Sequence, residues 1–249
     1  MVNKAPRGRN PARTIKAIVL VSGGIDSTVA LYWAVKKGWE IVPLTIDYHA
    51  RPEAEKNAVS AILKTAGVRA PIKIPMDFLK EIEDLGEEGA LRQALAGAPA
   101  AYVPARNMIF YSIAAHYAEV LGAEVIVGGH NNGDPQEFPD SSPRFFERIG
   151  RVMTMGLWSG KNTPLRIELP LKKKTKAQVI RLGIELGAPL QLTWSCHYDF
   201  EIPCGKCPSC LERAEAFNAL GLEDPRPHVG GKGIYRGDSS SALNEAWDH

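Results

Sequence analysis

The sequence predicts an α/β protein built on a doubly wound parallel sheet, with a small helical appendage near its C-terminal end. Short apolar runs alternate with stretches of helical periodicity over residues 16–190. This alternation is typical of strand–helix–strand units, in which successive strands lie parallel. Four clustered cysteines follow these units and mark the appendage. With 249 residues, 45% of them hydrophobic, the chain is long enough to bury one core and carry such an appendage.

The predicted elements follow one another in regular order along the chain. Apolar runs bounded by polar or glycine residues predict strands, and apolar residues spaced three or four apart predict helices. The predicted strands are 18–21, 41–46, 71–75, 124–127 and 165–169. The predicted helices begin at Asp26 and then cover 53–66, 108–121, 142–155, 176–186 and 211–220. Residues 76–101 are acidic and then alanine-rich, and they are compatible with a mobile cover of short helices or with a solvated loop.

The overall charge argues against a large nucleic-acid or membrane surface. The formal net charge is +2, close to balance. Residues 1–16 are basic but lack the apolar core of a signal peptide, and no run in the chain is long enough to span a bilayer. We therefore expect a cytoplasmic protein that binds no membrane. Its basic arm is more commonly a solvated segment than an RNA contact.

A glycine turn follows the first predicted strand. Residues 22–27 read SGGIDS and lead directly into the first helix. A strand, a glycine turn and a helix N-terminus form the geometry that holds a phosphate, because backbone amides approach the anion and the helix dipole favours negative charge. The Walker and G-x-G-x-x-G patterns are both absent. The structural alternative is an ordinary turn in which Ser and Asp cap the helix.

Polar residues also follow the second predicted strand and begin the third predicted helix. Asp47 and Tyr48 come directly after the second strand, and Arg106 and Asn107 precede the helix that starts at Met108. In doubly wound sheets ligands lie beyond the carboxyl ends of the strands, so Asp47 and Tyr48 are expected beside the glycine turn. A guanidinium at a helix N-terminus strengthens anion binding. Alone, Arg106 is an ordinary surface charge.

The fourth and fifth strands are followed by further polar segments. Residues 128–140 form a glycine- and proline-containing loop that ends in FPD, and lysines 172, 173, 174 and 176 surround a helix start. Lysines at a helix start oppose the dipole, so they usually have another partner, for which a pyrophosphate would serve. Taken singly, His130 is more commonly a packed or solvated histidine, and Asp140, with Ser141, a helix cap.

The cysteines have the spacing of a structural metal site. They are Cys196, Cys204, Cys207 and Cys210, in a C-x7-C-x2-C-x2-C pattern, and the chain has no others. Four thiolates at this spacing can close a tetrahedral zinc site with no open position. A disulfide framework would spread its cysteines over the chain, so clustering in a cytosolic protein favours metal. Neither His49 nor His197 is needed as a ligand.

Together these motifs resemble one family. SGGIDS, YVPARN at residues 102–107, FPD at 138–140 and the cysteine spacing are similar to those of the 7-cyano-7-deazaguanine synthases of the queuosine and archaeosine pathways, from about Lys16 to Phe217. The resemblance implies an adenine nucleotide alpha hydrolase-like fold. It also implies an ATP-dependent ligase that adenylates 7-carboxy-7-deazaguanine and, with ammonia and a second ATP, converts the carboxylate into a nitrile.

The resemblance assigns residues to ATP and to catalysis. Asp26, Arg106 and Lys176 would be catalytic, with Asp26 acting through Mg2+ or by fixing the loop and Lys176 balancing the pyrophosphate charge. The residues implied to bind the nucleotide are Ser22, Gly23, Gly24, Asp26, Ser27, Asp47, Tyr48 and Asn107. Of these, Asp47 and Tyr48 would lie close to the adenosine. Arg106 and Asn107 would face phosphate or the acyl-adenylate.

The family resemblance also assigns residues to the deazapurine site and to the metal site. Phe138, Pro139 and Asp140 match the substrate loop, where the Asp140 carboxylate could accept hydrogen bonds from the guanine-like N1–H and amino group. The four cysteines match the zinc ligands. Composition and motif positions together predict four segments: a basic flexible arm at 1–15, an ATP-binding α/β domain at 16–190, a zinc-binding segment and helix at 191–220, and an extended or disordered tail at 221–249. The expected binding partners are small molecules, and the sequence is compatible with either a monomer or a homodimer.

Two departures from the family pattern leave alternatives open. Residues 49–51 read His-Ala-Arg where the family commonly has Gly-Gln-Arg, and the loop GGHNNGD before FPD is one residue longer than expected. A deazaguanine-to-protein ligase of an antiviral system is one alternative. A tRNA-modifying thiolase is another, although it would want cysteines beyond the zinc site. A non-enzymatic RNA-binding zinc module leaves the glycine turn and the strand–helix alternation unexplained.

Overall fold

The computed structural model describes residues 14–48, 51–82, 95, 97–99 and 102–227. The expectations for most of the basic arm, for His49 and Ala50, for much of 76–101 and for the tail beyond residue 227 lie outside these residues. Across the described ranges, no helix combines the length and apolar character that crossing a bilayer requires.

The core of the molecule is a sheet of five parallel strands in the order β3-β2-β1-β4-β5. The strands are β1 (Lys16–Leu20), β2 (Glu40–Tyr48), β3 (Ile72–Met76), β4 (Val125–Val127) and β5 (Arg166–Glu168). In register, Ala17 of β1 is paired with Ile41 on one side and Val125 on the other. The strand order reverses between β1 and β4, which is the topological switch point where such sheets bind ligands. The predicted doubly wound parallel sheet is confirmed.

Seven helices, in the parts of the chain that the structure describes, connect and cover the strands. They are α1 (Ile25–Lys36), α2 (Glu53–Thr65), α3 (Arg106–Leu121), α4 (Asp134–Glu137), α5 (Pro143–Gly156), α6 (Lys176–Glu185) and α7 (Pro208–Asn218). The single turn α4 lies in a segment predicted to be loop. The start of α3 lies two residues before the predicted one, so Arg106 and Asn107 belong to its first turn. The start of α7 lies before Leu211, because Pro208 fits the first helical position, where no N–H bond is lost.

The sheet carries one hydrophobic core on each face. Successive residues of β1 point to opposite faces, so Val19 packs with α1, α2, α6 and the cysteine segment, whereas Ile18 packs with α3 and α5. Both side chains are fully buried. Each such burial contributes about 1.5–3 kcal/mol to the free energy of unfolding. The apolar runs that predicted the strands are therefore the inner layer of both cores, and they hold the carboxyl ends of β1, β2 and β4 side by side.

Candidate active site

The glycine turn after β1 is shaped by close contact with α2. Gly23 has a φ of +95°, and a Cβ atom there would lie 2.5 Å from the backbone oxygen of Glu55. Only glycine fits both constraints. The hydroxyls of Ser22 and Ser27 lie 3.0 Å apart, and the Ser22 N–H donates to the Ser27 hydroxyl at 3.1 Å. The turn is therefore a closed loop that brings two hydroxyls and the N-terminus of α1 to one place.

A buried guanidinium holds this loop from behind. Arg51 donates to the backbone oxygen of Ser22, to that of Ile46 at 2.8 Å and to the Thr45 hydroxyl at 3.1 Å. It also pairs with Glu55 at 3.0 Å. Burial raises the pKa of Glu55, whereas Arg51 and the Ser22 hydroxyl lower it. The effect of burial is the larger, so the pKa lies above its ordinary value. Arg51 thus ties the ends of β1 and β2 together, a role that sequence reasoning missed; its signal was an arginine soon after the second strand.

Asp26 and Lys176 form an ion pair beside the loop. Lys176 Nζ lies 2.5 Å from Asp26 Oδ2 and 3.2 Å from Glu212 Oε2, and the Asn131 side chain donates to Asp26 Oδ1 at 3.2 Å. Burial lowers the pKa of Lys176, but the two carboxylates raise it further, so it stays above its ordinary value. The lysine is therefore a fixed positive charge. A lysine at a helix start opposes the helix dipole and is stabilised by negatively charged partners. For Lys176, at the start of α6, these partners are Asp26 and Glu212.

The glycine loop, Arg51 and Asp26 border a cavity of about 310 Å³ at the carboxyl ends of the strands. The predicted site residues that line it are Ser22, Gly24, Asp26, Ser27, Tyr48, Arg106, Asn107 and Phe138. The structure thus brings together the glycine turn, the end of β2 and the start of α3. Lysines 172, 173 and 174 are not part of this group, because they line a separate cleft beside α6.

Of the residues predicted for ATP, catalysis or the deazapurine, five do not line the cavity: Gly23, Asp47, Pro139, Asp140 and Lys176. Gly23 faces α2, and Lys176 reaches the cavity only through Asp26. Asp47 points away from Tyr48, as neighbours on a strand do, and pairs with Lys56 at 3.3 Å.

The carboxylate of Asp140 binds the N-terminus of α3. Its Oδ2 accepts from the backbone N–H of Asn107 at 2.8 Å, and the Asn107 side chain donates to the Ser141 hydroxyl at 3.0 Å. The cap of α5 is instead Ser142, whose hydroxyl accepts from the Phe145 N–H at 3.2 Å. The Arg106 guanidinium lies 5.3 Å from the centre of the Phe138 ring, within cation–π range. The FPD segment and the Arg-Asn pair therefore form one unit.

The end of β4 completes the cavity with residues that sequence reasoning did not assign. A Cβ atom on Gly129 would lie 2.7 Å from the backbone N of Ser27, so glycine is needed where this strand meets the loop. His130 follows, with Nδ1 3.5 Å from Asp134 Oδ2. The Tyr111 hydroxyl is buried and has no hydrogen-bond partner within the described chain. Gly128, Gly129, His130, Asp134 and Tyr111 all line the cavity. The sequence signal for the first four was a polar loop after a strand, whereas Tyr111 lies inside helix α3 and had no such signal.

The four cysteines converge into one buried cluster. Their Sγ atoms all lie within 4.8 Å of one another, and those of Cys204 and Cys210 are 3.9 Å apart. Zinc–sulfur bonds of about 2.3 Å in a tetrahedron place the sulfurs somewhat under 4 Å apart, so the cluster fits a metal of this kind. Burial raises the pKa of Cys204, but the N–H groups of Lys206 and Cys207 lower it further, to about 7. The predicted four-cysteine metal cluster is confirmed as an arrangement that can hold a metal.

The cysteine segment also contacts the glycine loop directly. The backbone N–H of Trp194 donates to the backbone oxygen of Gly23 at 2.9 Å. The Trp194 side chain is buried in the same core as the cysteines. Glu212, two residues after the last cysteine, reaches Lys176. The cluster and the loop are therefore joined at two points, so disorder in one is expected to reach the other.

Comparison with known proteins places the chain in a family. A family model described as "Queuosine biosynthesis protein QueC" matches residues 16–221. The 7-cyano-7-deazaguanine synthase of Thermoplasma acidophilum is 37% identical over 84% of this chain and 90% of its own length. That of Nostoc sp. is 37% identical over 88% and 100%, respectively.

Solved structures are more distant. The U34-tRNA thiolase NcsA from Methanococcus maripaludis matches with a TM-score of 0.46 and 16% identity, over 86% of this chain and 68% of its own, a likeness too weak to carry an argument. The family model spans residues 16–221, which include the glycine loop, the Arg-Asn pair and the cysteine cluster, and the two relatives each match more than four fifths of the chain. The chain therefore belongs to the QueC family of queuosine biosynthesis proteins.

Proposed function

We propose that this chain converts 7-carboxy-7-deazaguanine and ammonia to 7-cyano-7-deazaguanine, using ATP and an adenylated intermediate. The observation that carries this proposal is the SGGIDS loop, which borders a cavity in a chain whose QueC-family relatives are named as synthases of that nitrile. A cavity of about 310 Å³ is at the lower end of the size that small-molecule sites have.

In this proposal the loop after β1 binds the phosphates of ATP. The hydroxyls of Ser22 and Ser27 and the N-terminus of α1 face the cavity, which suits an anion. Lys176, held by Asp26 and Glu212, supplies fixed positive charge behind the loop. A Mg2+ ion held by Asp26 would neutralise part of the phosphate charge when bound. Tyr48 and Arg106 are proposed for the adenosine and the α-phosphate, respectively, because both line the same cavity.

The chemistry needs a leaving group better than a carboxylate oxygen. Attack of the substrate carboxylate on the α-phosphorus of ATP releases pyrophosphate and leaves the carbon joined to AMP. Ammonia then displaces AMP to give the amide. A second ATP adenylates the amide oxygen, and loss of AMP gives the nitrile. This chain's part is to align the reacting atoms and to place cations and N–H groups where negative charge gathers, which is the main source of catalysis in such transfers.

Zinc is the metal proposed for the cysteine cluster. Four thiolates leave no open position for substrate, so the metal would serve stability and not chemistry. Through the Trp194 and Glu212 contacts it would also hold the glycine loop and Lys176 in place.

The FPD segment is proposed for the deazapurine. Phe138 lines the cavity and, with Tyr102 stacked at 6.4 Å and Arg106 at 5.3 Å from its ring centre, forms an aromatic and cationic group beside which a planar base would bind. The Asp140 carboxylate already accepts the Asn107 N–H, so its binding of the base, predicted from the family resemblance, would have to use its remaining lone pairs.

Replacing Asp140 with Ala separates these two uses. If the carboxylate binds the base, the KM for 7-carboxy-7-deazaguanine rises by about tenfold or more, as one charged hydrogen bond of roughly 1.5–3 kcal/mol is lost, while the KM for ATP changes little. If it serves only α3, both KM values and the melting temperature shift together. Ser141→Ala is the matched control, because it loosens the same Asn107 and leaves the carboxylate in place. An equal rise of both KM values contradicts the base assignment.

Mass spectrometry of a reaction with 7-carboxy-7-deazaguanine, ATP, Mg2+ and ammonium tests the proposed function. The expected product is the free nitrile, formed with two AMP and two pyrophosphate per turnover. If the deazaguanine instead becomes attached to a protein, the chain is a protein ligase and the proposal is wrong. Absence of any ATP consumption that depends on the acid would overturn the adenylation step itself.

A further inference from the structure

His130 and Asp134 form an imidazole–carboxylate pair on the wall of the cavity. Nδ1 of His130 faces Asp134 Oδ2 at 3.5 Å, and the same oxygen accepts the Asn131 N–H at 3.0 Å. Burial raises the pKa of Asp134, but the hydrogen bond and charge of His130 lower it further, so the carboxyl is held below its ordinary range. A carboxylate on Nδ1 favours the tautomer in which Nε2 accepts protons. Among the described residues, no protein group bonds to Nε2.

This pair lies next to the loop that is proposed to hold the phosphates. The preceding residue, Gly129, approaches the loop so closely that a Cβ would lie 2.7 Å from Ser27 N. His130, Asp134 and the loop all line the same cavity. An adenylated carbon is joined to the α-phosphorus through a single oxygen. It must therefore lie within a few bonds of the phosphates, in the cavity that the loop and His130 both line.

The Tyr111 hydroxyl gives a second, independent sign that a ligand binds here. It is fully buried, lines the cavity and has no hydrogen-bond partner within the described chain. Gly128 makes room for it, because a Cβ at that position would lie 1.7 Å from the hydroxyl oxygen. The Tyr111 ring is 5.9 Å from that of His130, between centres. Buried hydroxyls are normally paired, so a polar atom of a bound ligand is expected beside His130.

We propose that His130 is the general base that removes protons from the nitrogen at the reacting carbon, with Asp134 as its positioning residue. This inference deepens the proposed function and rests on it. Adenylation of a carboxylate releases no N–H proton, whereas both later stages do. The base is therefore needed only after the first adenylation has released its pyrophosphate.

The proton steps balance as follows. Ammonia attacks the acyl-adenylate with its lone pair, the C–O bond to AMP breaks with its electrons, and the extra proton on nitrogen passes to His130 Nε2. After the second adenylation, the nitrogen of the protonated imidate loses one proton to solvent or to the imidazole. The electrons of the remaining N–H bond then form the third C–N bond while AMP leaves with the C–O pair. That last proton also passes to Nε2, which releases it to water between steps.

His130→Asn tests this by separating two reactions of the same enzyme. Exchange of labelled pyrophosphate into ATP, dependent on 7-carboxy-7-deazaguanine and measured without ammonium, reports adenylation. Single-turnover conversion of the acid to amide and nitrile with ammonium reports the nitrogen steps. We expect exchange to stay within about threefold of wild type and the nitrogen steps to slow by about 10²–10⁴-fold, as loss of a general base does. His116→Asn is the matched control, because His116 is exposed on α3 and contacts the Tyr117 ring edge to face.

The pH profile adds a readout that a structural role would not move. With free ammonia held at the same concentration at every pH, the nitrogen steps of the wild type should slow on the acidic side, and this acidic limb should be missing in His130→Asn. The groups that face the ring are Tyr111 from α3, Asp134 from α4 and the uncharged Phe146 from α5, with Lys176 acting on Asp134 from α6. Asp134→Asn should keep the limb but slow the nitrogen steps less than His130→Asn.

Equal loss of exchange and nitrogen steps in His130→Asn, or no loss in either, overturns the inference. Should the Asn variant not fold, His130→Gln is measured in the same two assays under the same criteria. A wild-type enzyme that shows no exchange with this acid would sink the proposed function instead. The two failures are therefore distinguishable.

Discussion

Replacing Asp26 with Asn is expected to abolish pyrophosphate release while leaving the chain folded. Asp26 lines the cavity, pairs with Lys176 at 2.5 Å and accepts a hydrogen bond from the Asn131 side chain. An amide of the same shape keeps one hydrogen bond but removes the charge that holds Lys176 and that would hold Mg2+. Losing one such preorganised charge in a water-poor site lowers kcat by about 10²–10³-fold. Loss of the ion as well makes a drop of about 10³-fold or more the expected result.

The measurement is acid-dependent pyrophosphate release, followed together with thermal unfolding. Lys176 retains Glu212 as a partner, so the melting temperature of the variant should be only slightly lower than that of the wild type. Glu40→Gln is the matched control. It makes the same carboxyl-to-amide change at the opposite end of the sheet, where Glu40 pairs with Lys16 at 3.0 Å. Full turnover in Asp26→Asn would remove the catalytic role of the loop, and a collapse of the fold would show that the pair is mainly structural.

Local sequence patterns predicted the sheet and the place of the site. Five apolar runs separated by helical stretches allow few arrangements other than a doubly wound sheet, because parallel strands need crossover helices of a dozen residues or more. The carboxyl ends of β1 and β2 then had to meet. That rule alone placed Ser22, Ser27 and Tyr48 at one cavity.

The contacts inside the site could not be predicted in the same way. Arg51 reaches back 29 residues to the Ser22 carbonyl, and Asp140 reaches 33 residues to the start of α3. Both depend on side-chain paths that no periodicity encodes. Gly23 turns towards α2 and not towards the cavity, because the loop's φ angles are set by packing against Glu55. A polar residue next to a strand end is thus a guide to the neighbourhood, and only packing decides which atoms face the ligand.

Replacing Cys207 with Ser is expected to remove the metal and to destabilise the whole chain. The four sulfurs are buried within 4.8 Å of one another, and the cysteines belong to the hydrophobic core that includes Val19 and Trp194. A structural metal contributes its binding free energy to folding. Losing one of four thiolates should therefore lower the free energy of unfolding by several kcal/mol, on the order of 10 °C in melting temperature for a chain of this size.

The test combines metal analysis by mass spectrometry with thermal unfolding and an activity assay. Wild type should carry one zinc per chain, and Cys207→Ser much less. His197→Asn is the matched control, since His197 is exposed in the same segment and, among the residues that the structure describes, hydrogen-bonds to the Ser209 hydroxyl at 2.7 Å. Activity should fall with the metal, because Trp194 and Glu212 connect the cluster to Gly23 and Lys176. Wild-type protein that folds and turns over without zinc would contradict the structural role, since a core containing four unligated thiols would then suffice to hold the loop.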